Sequence, residues 1–131
     1  RLKTRDEERQ KRVLELLKKS KNWDSKDYYR AAIVFQDAND NNLQKKAIPL
    51  AKKAMEMGHV RGKWIYAASV DRALVNEGKR QKYGTQFTVS ENGKAKPRPM
   101  LKTATDKLRA KYNIPPIKKS IERIEKYWKN K

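Results

Sequence analysis

The chain has 131 residues and carries 34 Lys and Arg against 15 Asp and Glu, a formal net charge of +19. It contains no cysteine, which excludes disulfides and thiolate metal sites. No apolar run approaches the roughly 18 residues of a membrane span, so we expect no membrane partner. Because self-repulsion opposes folding, such a charge imbalance indicates a polyanionic partner, and nucleic acid is the commonest one.

The length suits one domain, and the apolar residues recur at regular spacings although hydrophobic residues make up only 37% of the chain. We therefore expect a single basic helical domain over residues 1–131 with a thin core. The chain begins at Arg1, without Met or an apolar signal stretch, so we interpret it as a fragment of a longer chain. A cytoplasmic protein and a secreted bacterial effector both fit these features.

Apolar spacing and turn signals predict four helices before residue 79. The first covers Leu2 to Lys19. Asp24 or Ser25 caps the second, which runs to about Gln36. Pro49 should bend the third helix or delay its start. The fourth extends from about Val60 to Asn76. The third and fourth end before glycines suited to a helix C-terminus, which are Gly58 and Gly78.

The second half changes character after Lys79. Aromatic and β-branched residues before Glu91-Asn92-Gly93 predict a short β-hairpin or extended loop near 85–96. A fifth helix is expected from about Thr103 to Tyr112, and a last helix from Ile117. The predicted fold is thus mainly α, with about six helices in one compact domain and this hairpin.

Two polar segments are candidate sites. Asp71 and Arg72 lie in the fourth helix, where Asp71 falls on the apolar face and needs partners because an unpaired buried charge is costly. Asp71 could form a structural ion pair or cap, or belong to a polar cluster at a pocket. The segment Gly78–Gln86 contains the cations Lys79, Arg80 and Lys82 and the polar residues Gln81, Tyr83, Thr85 and Gln86. It could hold phosphate or amide groups, or be a turn whose side chains satisfy one another.

His59 is the only histidine and hence the only side chain that ordinarily titrates near neutrality. It is a candidate general base, although a lone His after a helix-terminal Gly is more often a surface or helix-end residue. The chain shows no metal-binding constellation, no Gly-rich phosphate loop and no Gly-x-Ser-x-Gly elbow. We therefore predict neither a metal nor a cofactor.

Positive charge concentrates at the C-terminal end, where residues 94–131 contain thirteen basic and three acidic side chains, a net charge of +10. The last helix has an apolar stripe of Ile117, Ile121, Ile124 and Trp128. Its other face carries the basic residues Lys118, Lys119, Arg123 and Lys126. Contact with a polyanion and a merely solvated helix face both account for this pattern. We assign Trp128 to core packing, with stacking on bases as the alternative.

The stretch from Asp27 to Phe87 resembles an uncharacterised bacterial family, the domain of unknown function 6624. The similarity rests on Asp27–Gln36, Ala51–Ala54, Gly58, Asp71-Arg72 and Gln81–Gln86. Members of that family often carry His where this chain has Asp37, so a catalytic site there would be altered in this copy. The resemblance implies a polar cluster of Gln36, Asp71, Arg72, Gln81, Tyr83, Thr85 and Gln86, and it supplies no reaction.

Two functional hypotheses follow. The first is a non-catalytic module that binds nucleic acid, RNA in preference to DNA, through Lys79, Arg80, Lys82 and the basic face of the last helix. The second is a metal-independent ribonuclease-like toxin domain that an acidic immunity partner neutralises, since charge complementarity speeds such association. In that case catalysis would involve Asp71, Arg72, Tyr83, Thr85, Gln86 and His59.

Overall fold

A computed structural model of the chain describes residues 5–19 and 22–130. The described residues are mainly α-helical and include a two-stranded antiparallel hairpin, which confirms the predicted fold class. The elements in chain order are α1 (Arg5–Lys19), α2 (Ser25–Gln36), α3 (Asn41–Gln44), α4 (Ala47–Glu56), α5 (Gly62–Asn76), β1 (Phe87–Val89), β2 (Ala95–Pro97), α6 (Asp106–Lys111) and α7 (Ile117–Lys129). The start predicted for the first helix, at Leu2, lies outside the described residues.

The chain divides into two compact units, Arg1–Ser69 and Val70–Lys131. In the first unit, α2 packs most extensively on α4, and small side chains on both helices allow close approach. Phe35, Leu50 and Ile65 fill the core between them. The buried alanines of this interface are Ala31 and Ala32 on α2 and Ala47, Ala51 and Ala54 on α4.

Local capping sets the helix starts. The side chain of Asp24 accepts the Asp27 N–H at 2.9 Å, and Asp27 accepts the Asp24 N–H at 3.0 Å, a reciprocal cap that confirms the predicted start of α2. The predicted third helix is divided into α3 and α4. Pro49 lies in the first turn of α4, where its missing N–H costs no helical hydrogen bond, so the start is delayed as predicted.

Two predicted helices begin later than expected. The helix predicted from Val60 starts at Gly62, because residues 59–61 form a turn in which the Arg61 N–H donates to Nδ1 of His59. The helix predicted from Thr103 starts at Asp106, because the Thr105 hydroxyl accepts the Leu108 N–H and caps α6.

The second unit combines the end of α5 with the hairpin, α6 and α7. In the hairpin, Phe87 pairs with Pro97 and Val89 with Ala95. Helix α7 packs against β2, and Glu125 Oε2 accepts the Ala95 N–H at 2.8 Å. A separate parallel bridge joins Gln81 to Met100. This bridge brings the segment after α5 alongside the segment after the hairpin.

Candidate functional site

Asp71 anchors the loop that follows α5. It is fully buried, and its Oδ1 accepts the backbone N–H groups of Lys82 and Tyr83 at 2.9 and 3.0 Å. Its Oδ2 accepts the Thr85 N–H at 2.9 Å and the Thr85 hydroxyl at 2.7 Å. Four donors therefore surround one carboxylate, which compensates the cost of burying its charge.

Arg109 on α6 binds the carbonyl groups of the same loop. Its guanidinium is fully buried, and Nη1 donates to the carbonyls of Tyr83 at 2.8 Å and Gly84 at 2.6 Å. Nε and Nη2 donate to the Pro115 carbonyl, and Nη2 also donates to the Ser120 hydroxyl at 2.8 Å. The five N–H donors of a guanidinium thus all have acceptors.

Burial lowers the pKa of Arg109, and the negative charges of Asp106 and Asp71 oppose that shift. The guanidinium stays charged because arginine holds its proton in proteins. Asp71 and Arg109 therefore bind the loop with opposite charges, one through its N–H groups and the other through its carbonyls. Arg109 is not among the residues predicted from the sequence, since nothing in its local sequence distinguishes it from the other cations.

Gln81 closes the loop with its side-chain amide. Its Oε1 accepts the Gln86 N–H at 2.7 Å, and its Nε2 donates to the carbonyls of Gln86 at 3.0 Å and Arg98 at 2.9 Å. The Gln81 backbone N–H donates to the Pro99 carbonyl, and the Gln81 carbonyl accepts the Leu101 N–H. The side chain and backbone of this one residue thus hold the loop to residues 98–101.

The structure brings four of the predicted catalytic residues together in this loop network. Asp71 and the Thr85 hydroxyl bond to each other, and Gln86 Nε2 donates to the Thr85 hydroxyl oxygen at 3.1 Å. Tyr83 is buried with its ring 4.6 Å from that of Tyr112. Arg72 is half-buried on α5. The hydrogen bonds of Asp71 and Thr85 all serve to hold the loop.

His59 and Gln36 lie in the first unit. The His59 ring stacks on Tyr29 with the ring centroids 4.3 Å apart, and its Nδ1 accepts the Arg61 N–H at 3.0 Å. An accepting Nδ1 carries no proton, so in this arrangement a neutral ring has its hydrogen on Nε2. These contacts agree with a helix-end role for His59, which was the alternative to catalysis. Gln36 is buried in the last turn of α2.

A basic cleft lies beside the loop, defined by Lys79, Arg80 and Arg98 around Val75, Gly78 and Pro99. The cavity has a volume of about 360 Å³, and no carboxylate is among these lining residues. Gln81 and Met100 form a parallel bridge, so the chain segments on either side of it run next to each other. Arg80 precedes Gln81 on one segment, and Arg98 precedes Pro99 on the other, so the bridge holds the two arginines on adjacent segments. Such a cleft can bind an anion.

Individual contacts orient the cations of the basic cleft. Arg80 Nη1 donates to the Met100 carbonyl at 3.3 Å, and Lys79 Nζ lies 3.6 Å from a carboxylate oxygen of Glu77. Arg98 is not among the binding residues predicted from the sequence. Its position between Pro97 and Pro99 was an available signal, because prolines on both sides restrict the backbone that carries its side chain.

The other predicted nucleic-acid-binding residues are exposed. Lys82 lies in the loop, and Lys118, Lys119, Arg123 and Lys126 lie on α7. In the apolar stripe of α7, Ile117, Ile121 and Ile124 are only half-buried. Trp128 keeps 44% of its surface exposed. The assignment of Trp128 to the core was therefore wrong, because the hairpin covers too little of the last turn of α7 to bury a side chain of that size.

The described residues contain neither a metal-binding cluster of side chains nor a helix that could span a membrane. No group of three or more histidine and carboxylate side chains among residues 5–19 and 22–130 is arranged to hold a metal ion. The helices within those ranges lack the combination of length and apolar character required to cross a bilayer.

Comparison with known proteins identifies one family. The model of the Family of unknown function (DUF6624) matches residues 5–131, a wider span than the resemblance between Asp27 and Phe87. Neither a curated protein nor a solved structure gives a significant match to the chain. The match covers the loop, the basic cleft and α7.

Proposed function

Because the chain belongs to the DUF6624 family, whose function is unknown, we propose from its own residues that it is a basic domain that binds nucleic acid. The observation that carries the proposal is the basic cleft. Three of the six described residues that line this cavity are cationic and none is a carboxylate, although Lys79 is also paired with Glu77. Phosphate oxygens of a polynucleotide backbone are the natural ligand for such a group, and Arg offers them two parallel hydrogen bonds.

The loop network supports binding in preference to catalysis. A general base needs a free acceptor within reach of a substrate proton, whereas the oxygens of Asp71 already accept four hydrogen bonds from the loop. The Thr85 hydroxyl already donates its proton in a hydrogen bond to Asp71. We therefore propose that the loop network positions the residues of the basic cleft. The cleft itself binds phosphate.

The net charge supports the same class of partner. Phosphate contacts supply most of the affinity of non-specific nucleic-acid binding, and a protein with a charge of +19 attracts such polymers over a long range at low ionic strength. We expect RNA to bind in preference to DNA. This preference is tested by measuring the affinity for an RNA oligonucleotide and for a DNA oligonucleotide of the same sequence.

The experiment is a fluorescence-anisotropy titration with labelled single-stranded RNA in dilute buffer. Lys79, Arg80 and Arg98 are replaced together by Ala, and we expect at least about a tenfold loss of affinity from the removal of three phosphate contacts. The matched control replaces three exposed cations of the first unit, Lys52, Lys53 and Lys63. It removes the same charge and should change the affinity much less.

The outcomes separate the alternatives. No binding by the wild-type protein would contradict the proposed function, and equal losses in both triple variants would contradict its location in the basic cleft. Gel analysis of the same samples, with and without EDTA, reports strand cleavage. Metal-independent degradation of RNA that is lost in the cleft variant would favour the ribonuclease hypothesis.

A further inference from the structure

A groove lies between the hairpin turn and the end of α7. Residues 91–94 form one wall, and residues of the last two turns of α7, including Trp128, form the other. The cavity has a volume of about 720 Å³. This volume lies within the range of small-ligand sites and is large enough for a nucleoside.

Hydrogen bonds fix both walls of the groove. The Ser90 N–H donates to the Lys94 carbonyl at 2.9 Å, and the Gly93 N–H donates to the Ser90 carbonyl at 2.9 Å, so the turn is closed on itself. Glu125 of α7 accepts the Ala95 N–H at 2.8 Å and holds the hairpin against the helix. The separation of the walls is therefore set by the fold.

An exposed indole and three lysine residues line this groove. Trp128 is 44% exposed, and Lys94, Lys126 and Lys129 line the same cavity. Two carboxylates, Glu91 and Glu125, also line it, and Glu125 is engaged by the Ala95 N–H. The positive charges exceed the negative ones, and a large aromatic face lies among them.

We propose that this groove binds an unpaired base of a single-stranded nucleic acid, stacked on Trp128, with the adjoining phosphates at Lys94, Lys126 and Lys129. The inference rests on the proposed function and names the form of nucleic acid that the protein selects. Base stacking on aromatic side chains tolerates any base, because every base has a π face. The bases of a duplex are stacked on one another, so a duplex cannot use the groove.

The affinity test compares a single-stranded RNA of mixed sequence with the same strand annealed to its complement. Trp128→Ala should weaken single-strand binding about tenfold, and duplex binding by less than about twofold. Trp128→Phe keeps an aromatic ring and should retain most of the affinity. Tyr127→Ala removes a neighbouring ring that is 65% exposed and does not line the groove, and it should leave the affinity unchanged.

A spectroscopic arm reports on the groove without removing Trp128. Trp23 and Trp64 are the other two tryptophans, both half-buried against the core of the first unit. Replacing both by Phe leaves Trp128 as the sole indole. Single-stranded RNA should quench the fluorescence of this variant strongly through stacking, whereas the duplex should quench it little.

Each result is decisive. Selective loss of single-strand affinity with strong quenching supports the inference. Equal losses for single strand and duplex, or unchanged single-strand affinity in Trp128→Ala, overturn it while the proposed function stands. If Trp128→Ala fails to fold, quenching in the variant with Trp128 alone decides the matter. If the wild-type protein binds no polynucleotide, the proposed function itself is contradicted, and the inference that rests on it fails as well.

Discussion

Two buried ions of opposite charge bind the backbone of a single loop. Asp71 accepts N–H groups of the loop, and Arg109 donates to its carbonyls. Asp71 could be predicted from the sequence because a carboxylate on an apolar helix face needs partners. Arg109 could not, because its acceptors are main-chain and hydroxyl oxygens that the sequence does not specify.

Asp71→Asn should destabilise the protein by about 3 kcal/mol. The amide has the shape of the carboxylate but brings an NH₂ group against backbone donors, which leaves buried N–H groups without acceptors. Urea unfolding followed by circular dichroism measures the change. Glu122→Gln makes the same chemical change at an exposed position of α7 and should stay within about 0.5 kcal/mol of wild type. A shift for Asp71→Asn as small as that of this control would contradict the anchoring role.

Gly84→Ala should cost more stability than Gly78→Ala, although both glycines have a positive φ, +71° and +74°. A Cβ at Gly84 would lie 2.5 Å from Met100 Sδ and 2.7 Å from Arg109 Nη1, whereas one at Gly78 would have no neighbour within 4 Å. Backbone strain of about 1–2 kcal/mol is common to both. The additional loss in Gly84→Ala measures the close approach of Met100 and Arg109 to this glycine. Equal melting temperatures for the two variants would show that these two contacts do not limit the side chain at position 84.

The secondary-structure elements were largely predictable, because their signals are local. The cap of α2 at Asp24, the start of α4 just before Pro49 and the hairpin near 85–96 all follow from residues within a few positions. The bridge between Gln81 and Met100 was not predictable, since it joins segments on either side of the hairpin. The basic cleft depends on that bridge, so the sequence indicated Lys79 and Arg80 but not their neighbour Arg98.

The cap of α2 should make stability depend on pH. The backbone N–H of Asp27 holds the pKa of Asp24 below its ordinary value of 3.8. A carboxylate with a lowered folded-state pKa contributes stability above its unfolded pKa, and this is lost as pH falls through the folded pKa. Asp24→Ala should therefore be less stable than wild type at pH 7, and the difference should shrink below pH 3.8.

Asp24→Asn is the control for this titration. Asn keeps an accepting oxygen at the helix N-terminus but does not titrate, so it should retain much of the stability at pH 7. Thermal melts between pH 7 and pH 2.5 measure all three proteins. A difference between wild type and Asp24→Ala that stays constant over the whole range would contradict the titration of the cap.

The composition of the chain predicts the class of partner but not the surface that binds it. The net charge of +19 comes from side chains in every part of the chain. Most of the described Lys and Arg side chains are exposed, and the sequence alone does not show which of them lie close together. Only the folded chain shows that Lys79, Arg80 and Arg98 surround one cavity and that Trp128 is exposed beside Lys126.

The most direct test of binding through the basic cleft is the salt dependence of affinity for single-stranded RNA. Each phosphate contact contributes about −0.7 to the slope of log K against log salt concentration. Removing Lys79, Arg80 and Arg98 should therefore make the slope shallower by about 2, whereas removing Lys52, Lys53 and Lys63 should leave it close to that of wild type. Identical slopes for wild type and the cleft variant would contradict the account.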